Sequence, residues 1–147
     1  MGSGVSKASP APGRGRVLYI IEIQPKWHPL VAPNLTRGKS CFYVGETGKK
    51  IEERYAQHLQ GVSSHARSSS VVGAADPFKS ISKQMQGADL VDGVDILLRP
   101  ELTARYRPRP DVESSELAEA ALIDRLRRRG NVAYPRAKEL TRIRFSK

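Results

Sequence analysis

The sequence predicts a small α+β domain, a short sheet with helices packed around it. Strand-like and helix-like stretches come in runs (strand, strand, helix, helix, strand, helix) instead of alternating, which argues against a doubly wound parallel sheet. At 147 residues and 39% hydrophobic content, the chain has material for one domain with one modest core. Residues 1–16 read as a basic arm without regular structure, 17–134 as the folded domain, and 135–147 as a basic tail.

Val17 to Gln24, VLYIIEIQ, is rich in β-branched residues and stops at Pro25, so it is predicted as a strand. A loop from 25 to 40 follows, punctuated by Pro25, Pro29 and Pro33 and holding Trp27 and His28. It reads as a Pro-rich surface loop. CFYVGE, residues 41–46, is the second strand, most simply antiparallel to the first. Thr47 is placed to cap the next helix. There Ile51, Tyr55 and Leu59 recur every fourth residue, giving an amphipathic helix over 50–60. Residues 61–76 are polar and read mostly as loop. PFKSISKQMQ (77–86) reads as a short helix with Pro77 in its first turn, and VDILL (94–98) as a third strand. Asp111 is a plausible cap for a helix over 112–129, which Gly130 ends.

The formal charge is +10, which calls for a polyanionic partner. Nucleic acid is the first candidate and an anionic membrane surface the second. Cys41 is the sole cysteine, so an internal disulfide and a thiolate metal cluster are both excluded, as suits a reducing, cytoplasmic setting. No apolar run reaches the roughly 20 residues of a membrane span, and the amino terminus has no apolar segment of the secretory kind.

Glu119 is the most informative residue. It lies on the side of the last helix that carries Ala118, Leu122, Ile123 and Leu126, where an uncompensated carboxylate is costly. Glu113 and Glu116 are nearer the helix start and suit the dipole, an explanation that fades by Glu119. Either Arg125 or Arg127 pairs with Glu119, or the carboxylate is used. Arg54 and His58 are one helical turn apart and flank the Ile51/Tyr55/Leu59 stripe. They are either a solvated face, with Arg54 paired to Glu52 or Glu53, or a phosphate-binding guanidinium beside a proton carrier. Tyr19 and Tyr43 are on neighbouring strands and could share a face. Gly45 inside a strand marks a bulge or a close approach.

Jointly, Val17-Leu18-Tyr19, Tyr43-Val44-Gly45, Arg54-x-x-x-His58, Glu119 and Asn131 resemble the GIY-YIG nuclease superfamily. That group includes the amino-terminal domain of an excision-repair nuclease, intron homing endonucleases and some restriction enzymes. CFYVGETGKKIEERYAQH is the most specific stretch, and the likeness spans most of 17–134. It implies a three-stranded antiparallel sheet flanked by helices, and a Mg²⁺- or Mn²⁺-dependent endonuclease acting on nucleic acid, DNA in the first instance. Tyr19 would stand by the attacking water, in position to be its general base, and Tyr43 would position water or phosphate. Arg54 would stabilise the phosphorane, His58 would be an auxiliary acid/base group, Glu119 would be the single protein ligand to the metal, and Asn131 would brace the site. One carboxylate suffices for a hard cation that keeps its waters.

The chain departs from the family pattern in three places. The leading Gly of the first motif is replaced by Val17, the loop between Tyr19 and Tyr43 is long, and Glu46 stands where several relatives have Lys. Lys49, Lys50, Arg67, Arg136, Lys138, Arg142 and Arg144 are expected to meet the phosphate backbone. A catalytically weak nucleic-acid-binding module of the same fold and an adaptor for an acidic protein are the competing readings. A homodimer would suit two-strand cleavage, though no sequence feature calls for one.

Overall fold

The computed structural model describes residues 15–61 and 76–134. Most of the expected arm, most of the 61–76 loop with Arg67, and the tail with Arg136, Lys138, Arg142 and Arg144 lie outside the described residues. Strand β1 (Val17–Ile23) pairs antiparallel with β2 (Cys41–Thr47), with Tyr19 opposite Gly45 and Ile21 opposite Tyr43. Strand β3 (Ile96–Leu98) pairs antiparallel with the other edge of β1. Strand β4 (Val132–Tyr134) runs parallel to β2, and the sheet order is β3-β1-β2-β4.

The class is therefore α+β, but the sheet has four strands and is mixed, not three-stranded and antiparallel. Three residues past a helix end are too few for a period-2 pattern, so β4 was invisible in the sequence. The long helix α4 (Val112–Arg128) supplies the crossover that a parallel neighbour requires.

The other helices are α1 (His28–Val31), α2 (Ile51–Leu59) and α3 (Pro77–Gln84). The segment from 25 to 40 is thus partly helical, with a 3-10 turn at Pro25–Trp27 running into α1. Pro29 falls in the first turn of α1, where its missing N–H costs nothing. Asp95, buried between β3 and this segment, accepts from Trp27 Nε1 at 2.7 Å and Val91 N at 2.8 Å and pairs with Lys26 at 3.3 Å. Burial pushes the Asp95 carboxyl up, but these donors outweigh it and hold the group below its ordinary value.

Alternation along the strands splits the core into two layers. On one face Tyr19, Ile21, Ile23, Cys41 and Tyr43 pack with Phe78 and Ile81 of α3. On the other, Leu18, Ile20, Phe42 and Val44 pack with Leu122, Ile123 and Leu126 of α4. Each such buried aliphatic stabilises by about 1.5–3 kcal/mol. Asp111 caps α4 through Ser114 N at 2.7 Å, and Gly130 ends it at φ +93°. The cap of α2 is Lys50, not Thr47, which remains in β2 with its hydroxyl accepting from Lys49 N at 3.0 Å. Among the described residues no helix is long and apolar enough to cross a membrane.

Candidate active site

The α2 helix buries the wrong residues for a plain amphipathic helix. Its apolar members Ile51, Tyr55 and Leu59 are only half-buried, while Arg54 (5% exposed) and His58 (0%) are its buried pair. Turning a guanidinium and an imidazole inward costs free energy unless other groups receive them. The tyrosines of the sheet receive the imidazole, and Gln57 accepts from the guanidinium. Tyr19 Oη and His58 Nε2 are hydrogen-bonded at 2.8 Å, the donor depending on the imidazole tautomer. The ring centroids of Tyr43 and His58 are 5.0 Å apart, and those of Tyr19 and Tyr43 6.4 Å. Phe78 of α3 closes the stack, 4.4 Å from His58 and 4.8 Å from Tyr43.

Gly45 makes this packing feasible. A Cβ there would be 2.7 Å from Cε1 of Tyr19 and would also overlap the ring's Cζ and hydroxyl. The Tyr19 ring lies over the glycine opposite it in the register. The close approach anticipated from a glycine inside a strand is thus made by a side chain of the neighbouring strand.

Arg54 donates to Gln57 Oε1, one turn along α2, and its charge acts on the Tyr19 hydroxyl. Glu119, 2% exposed, belongs to the buried side of α4 with Ser115, Leu122, Ile123 and Leu126. It is close enough to act on both tyrosines. Burial raises the Tyr19 hydroxyl well above its ordinary value; Arg54 opposes that shift, and Glu119 and Glu46 add to it. Tyr43 is raised in the same way, by burial first and then by Tyr19 and Glu119, with Arg54 again opposing. The register suggests how α4 reaches this side: β4 pairs only with Cys41, Phe42 and Tyr43, so the outer edge of Val44–Thr47 has no strand neighbour among the described residues. Arg125 donates to Tyr106 Oη at 3.0 Å and Arg127 to Ala133 O at 3.0 Å. Glu119 Oε1 accepts no hydrogen bond, although the carboxylate as a whole has other interactions.

Asn131, expected to brace the site, and Glu46, a departure from the family pattern, both lie outside the ring cluster. Asn131 accepts from Ser40 N at 2.9 Å and donates to Leu126 O at 3.2 Å, tying the end of α4 to the start of β2. It is at the end of β2 remote from Gly45, so it braces the scaffold and takes no place among the rings. Glu46 points to the α4 side, paired with Arg16 at 2.7 Å and accepting from Ser115 Oγ at 2.8 Å. Lys49 and Lys50 are exposed at the start of α2. Phe78 and Gln57 were not picked out from the sequence. A phenylalanine in a short helix carries no signal of its own, but Gln57, three residues after Arg54, is a readable helical pairing.

A hard divalent cation is compatible with this donor set. Glu119 offers an oxygen ligand beside tyrosine hydroxyls, and such an ion fills its remaining positions with water and phosphate oxygens. Among the described residues no group of three or more His, Cys, Asp or Glu side chains gathers into a denser metal site. Neither a family model, nor a curated protein, nor a solved structure matches the chain.

Proposed function

We propose that this chain is a metal-dependent phosphodiesterase of the GIY-YIG type, an endonuclease acting on DNA. The observation that carries the reading is the inverted α2 helix. It buries Arg54 and His58 in preference to its apolar residues and delivers them to the tyrosines of the sheet, over a glycine whose missing Cβ leaves room for the Tyr19 ring. A helix shaped by packing alone would bury Ile51 and Leu59 first.

The chemistry follows from the groups at hand. Arg54 binds the non-bridging phosphate oxygens and takes up the negative charge that develops on them. Tyr19 is held neutral by burial, so it cannot act as an anionic base. It can pass a proton to His58 Nε2 as it accepts one from water, over the 2.8 Å hydrogen bond between them. Tyr43 fixes the His58 ring and presents its own hydroxyl to water or phosphate. A divalent cation held by Glu119 would supply Lewis-acid stabilisation of the leaving oxygen when bound.

The test is nicking of supercoiled plasmid in Mg²⁺, Mn²⁺ and EDTA. The expected result is nicking in either metal, none in EDTA, and a loss of about 10²–10³ in rate for Arg54→Ala. Salt-sensitive DNA binding with no nicking in any metal would instead support a binding module of the same fold. The near-complete burial of Tyr19, His58 and Glu119 is the observation that favours that second reading.

A further inference from the structure

Three described arginines make ion pairs with acidic side chains: Arg16 with Glu46, Arg99 with Glu22 and Glu101, and Arg128 with Asp124. Arg105, Arg107, Arg125 and Arg129 are exposed or half-exposed and make no ion pair among the described residues. Two of them are held on a single side chain. The Arg105 guanidinium lies over the Tyr106 ring, 5.8 Å from its centroid, and Arg125 Nη1 donates to the same tyrosine's hydroxyl at 3.0 Å. Tyr106 is itself anchored, half-buried against the α4 side of the core with Leu102 and Ala118.

The dipole of α4 explains arginines in its last turns. It does not explain Arg105, which comes from the preceding loop and adds like charge beside Arg125 on the same tyrosine. The ring and hydroxyl of Tyr106 hold the two guanidinium groups in place without neutralising them, which leaves their charge open to an outside anion. We infer that Arg105 and Arg125, gathered on Tyr106, form a nucleic-acid backbone-binding surface on the α4 side of the molecule. This surface is separate from the tyrosine–histidine cluster on the opposite face of the sheet.

The chemistry fits phosphodiester oxygens. The surface is all arginine, whose planar fork binds phosphate in a bidentate way that lysine does not. A membrane fits less well, because the exposed apolar residues of α4, Val112 and Leu117, lie in its acidic half with Asp111, Glu113 and Glu116. Such a surface would grip a flanking stretch of the substrate while the cluster on the other face does the chemistry. The inference rests on the proposed function only for the identity of its partner.

The test is equilibrium binding of a short fluorescein-labelled DNA duplex over a range of salt concentrations. Wild type is compared with the Arg105→Ala/Arg125→Ala double variant and with Tyr106→Phe, folding being checked by circular dichroism. The double variant is expected to bind at least about tenfold more weakly at physiological salt. Its slope of log affinity against log salt should be shallower by roughly 2, about one unit for each phosphate that is no longer neutralised. Tyr106→Phe keeps the ring under Arg105 but not the hydroxyl under Arg125, and is expected to fall between the two. A double variant with wild-type affinity and slope would overturn the inference. So would one that lost binding to phosphatidylserine vesicles while keeping its grip on the duplex. Absence of nicking by the wild-type protein would count against the nuclease reading and leave this binding result standing.

Discussion

Gly45 and Tyr19 show how one residue's absence of a side chain determines where another's can go. With the ring packed on the glycine, Gly45→Ala forces the ring or the strand to move. Overpacking of this kind costs about 1–3 kcal/mol. Urea denaturation should show a lower midpoint at unchanged slope, with plasmid nicking lost as well; a variant as stable and active as wild type would mean the ring has another resting place. The tyrosines also carry a pH signature. Both hydroxyls are raised in the folded protein, so the folded state keeps protons that the unfolded state releases above about 10. Their contribution to stability is complete below that value and is lost as pH rises beyond it. Alkaline titration followed by tyrosinate absorbance should show Tyr19 and Tyr43 ionising only together with unfolding. Ionisation of all five tyrosines near pH 10 in a still-folded chain would contradict the burial argument.

At the scale of elements, α2 is where sequence and structure diverge most usefully. The four-residue spacing of Ile51, Tyr55 and Leu59 announced a helix over 50–60, and a helix spans Ile51–Leu59, but the spacing named the wrong buried side. Periodicity reports apolar residues and cannot foresee a guanidinium turned inward, because that choice depends on tyrosines contributed by distant strands. The same holds for β4, whose pairing with β2 depends on α4 returning the chain to the open edge. The loop from 25 to 40 hid α1 because its prolines read as breakers, although a proline in a first turn is harmless. The main strands, α3 and α4 were legible from β-branched runs, Pro77, Asp111 and Gly130, all of them local signals. Because His58 sits within a cage of aromatic rings, His58→Phe should alter stability by less than about 1.5 kcal/mol while abolishing nicking. A loss of more than about 3 kcal/mol in denaturant unfolding would assign the imidazole to the core instead. Asn131→Ala removes two hydrogen bonds between α4 and β2 and should cost about 1–3 kcal/mol.

At the scale of the whole molecule, the sheet separates two layers of side chains. One face gathers Tyr19, Tyr43, Arg54 and His58 with Phe78 behind them, and the other is a hydrophobic layer under α4 with arginines outside it. Glu119 belongs to α4 yet acts on both tyrosines, which couples the two sides. A net charge of +10 gives such a molecule long-range attraction for a polyanion, weakened as salt rises. The function proposed for Glu119 and its neighbours is hydrolysis of a phosphodiester bond. Its most direct test is the single-turnover nicking rate of wild type and Glu119→Gln in Mg²⁺, with DNA affinity measured on the same preparations. The expected rate for Glu119→Gln is at least about a hundredfold slower, the scale of one lost transition-state stabiliser, at unchanged affinity. Nicking by Glu119→Gln at the wild-type rate would show that the buried carboxylate is not part of the chemistry.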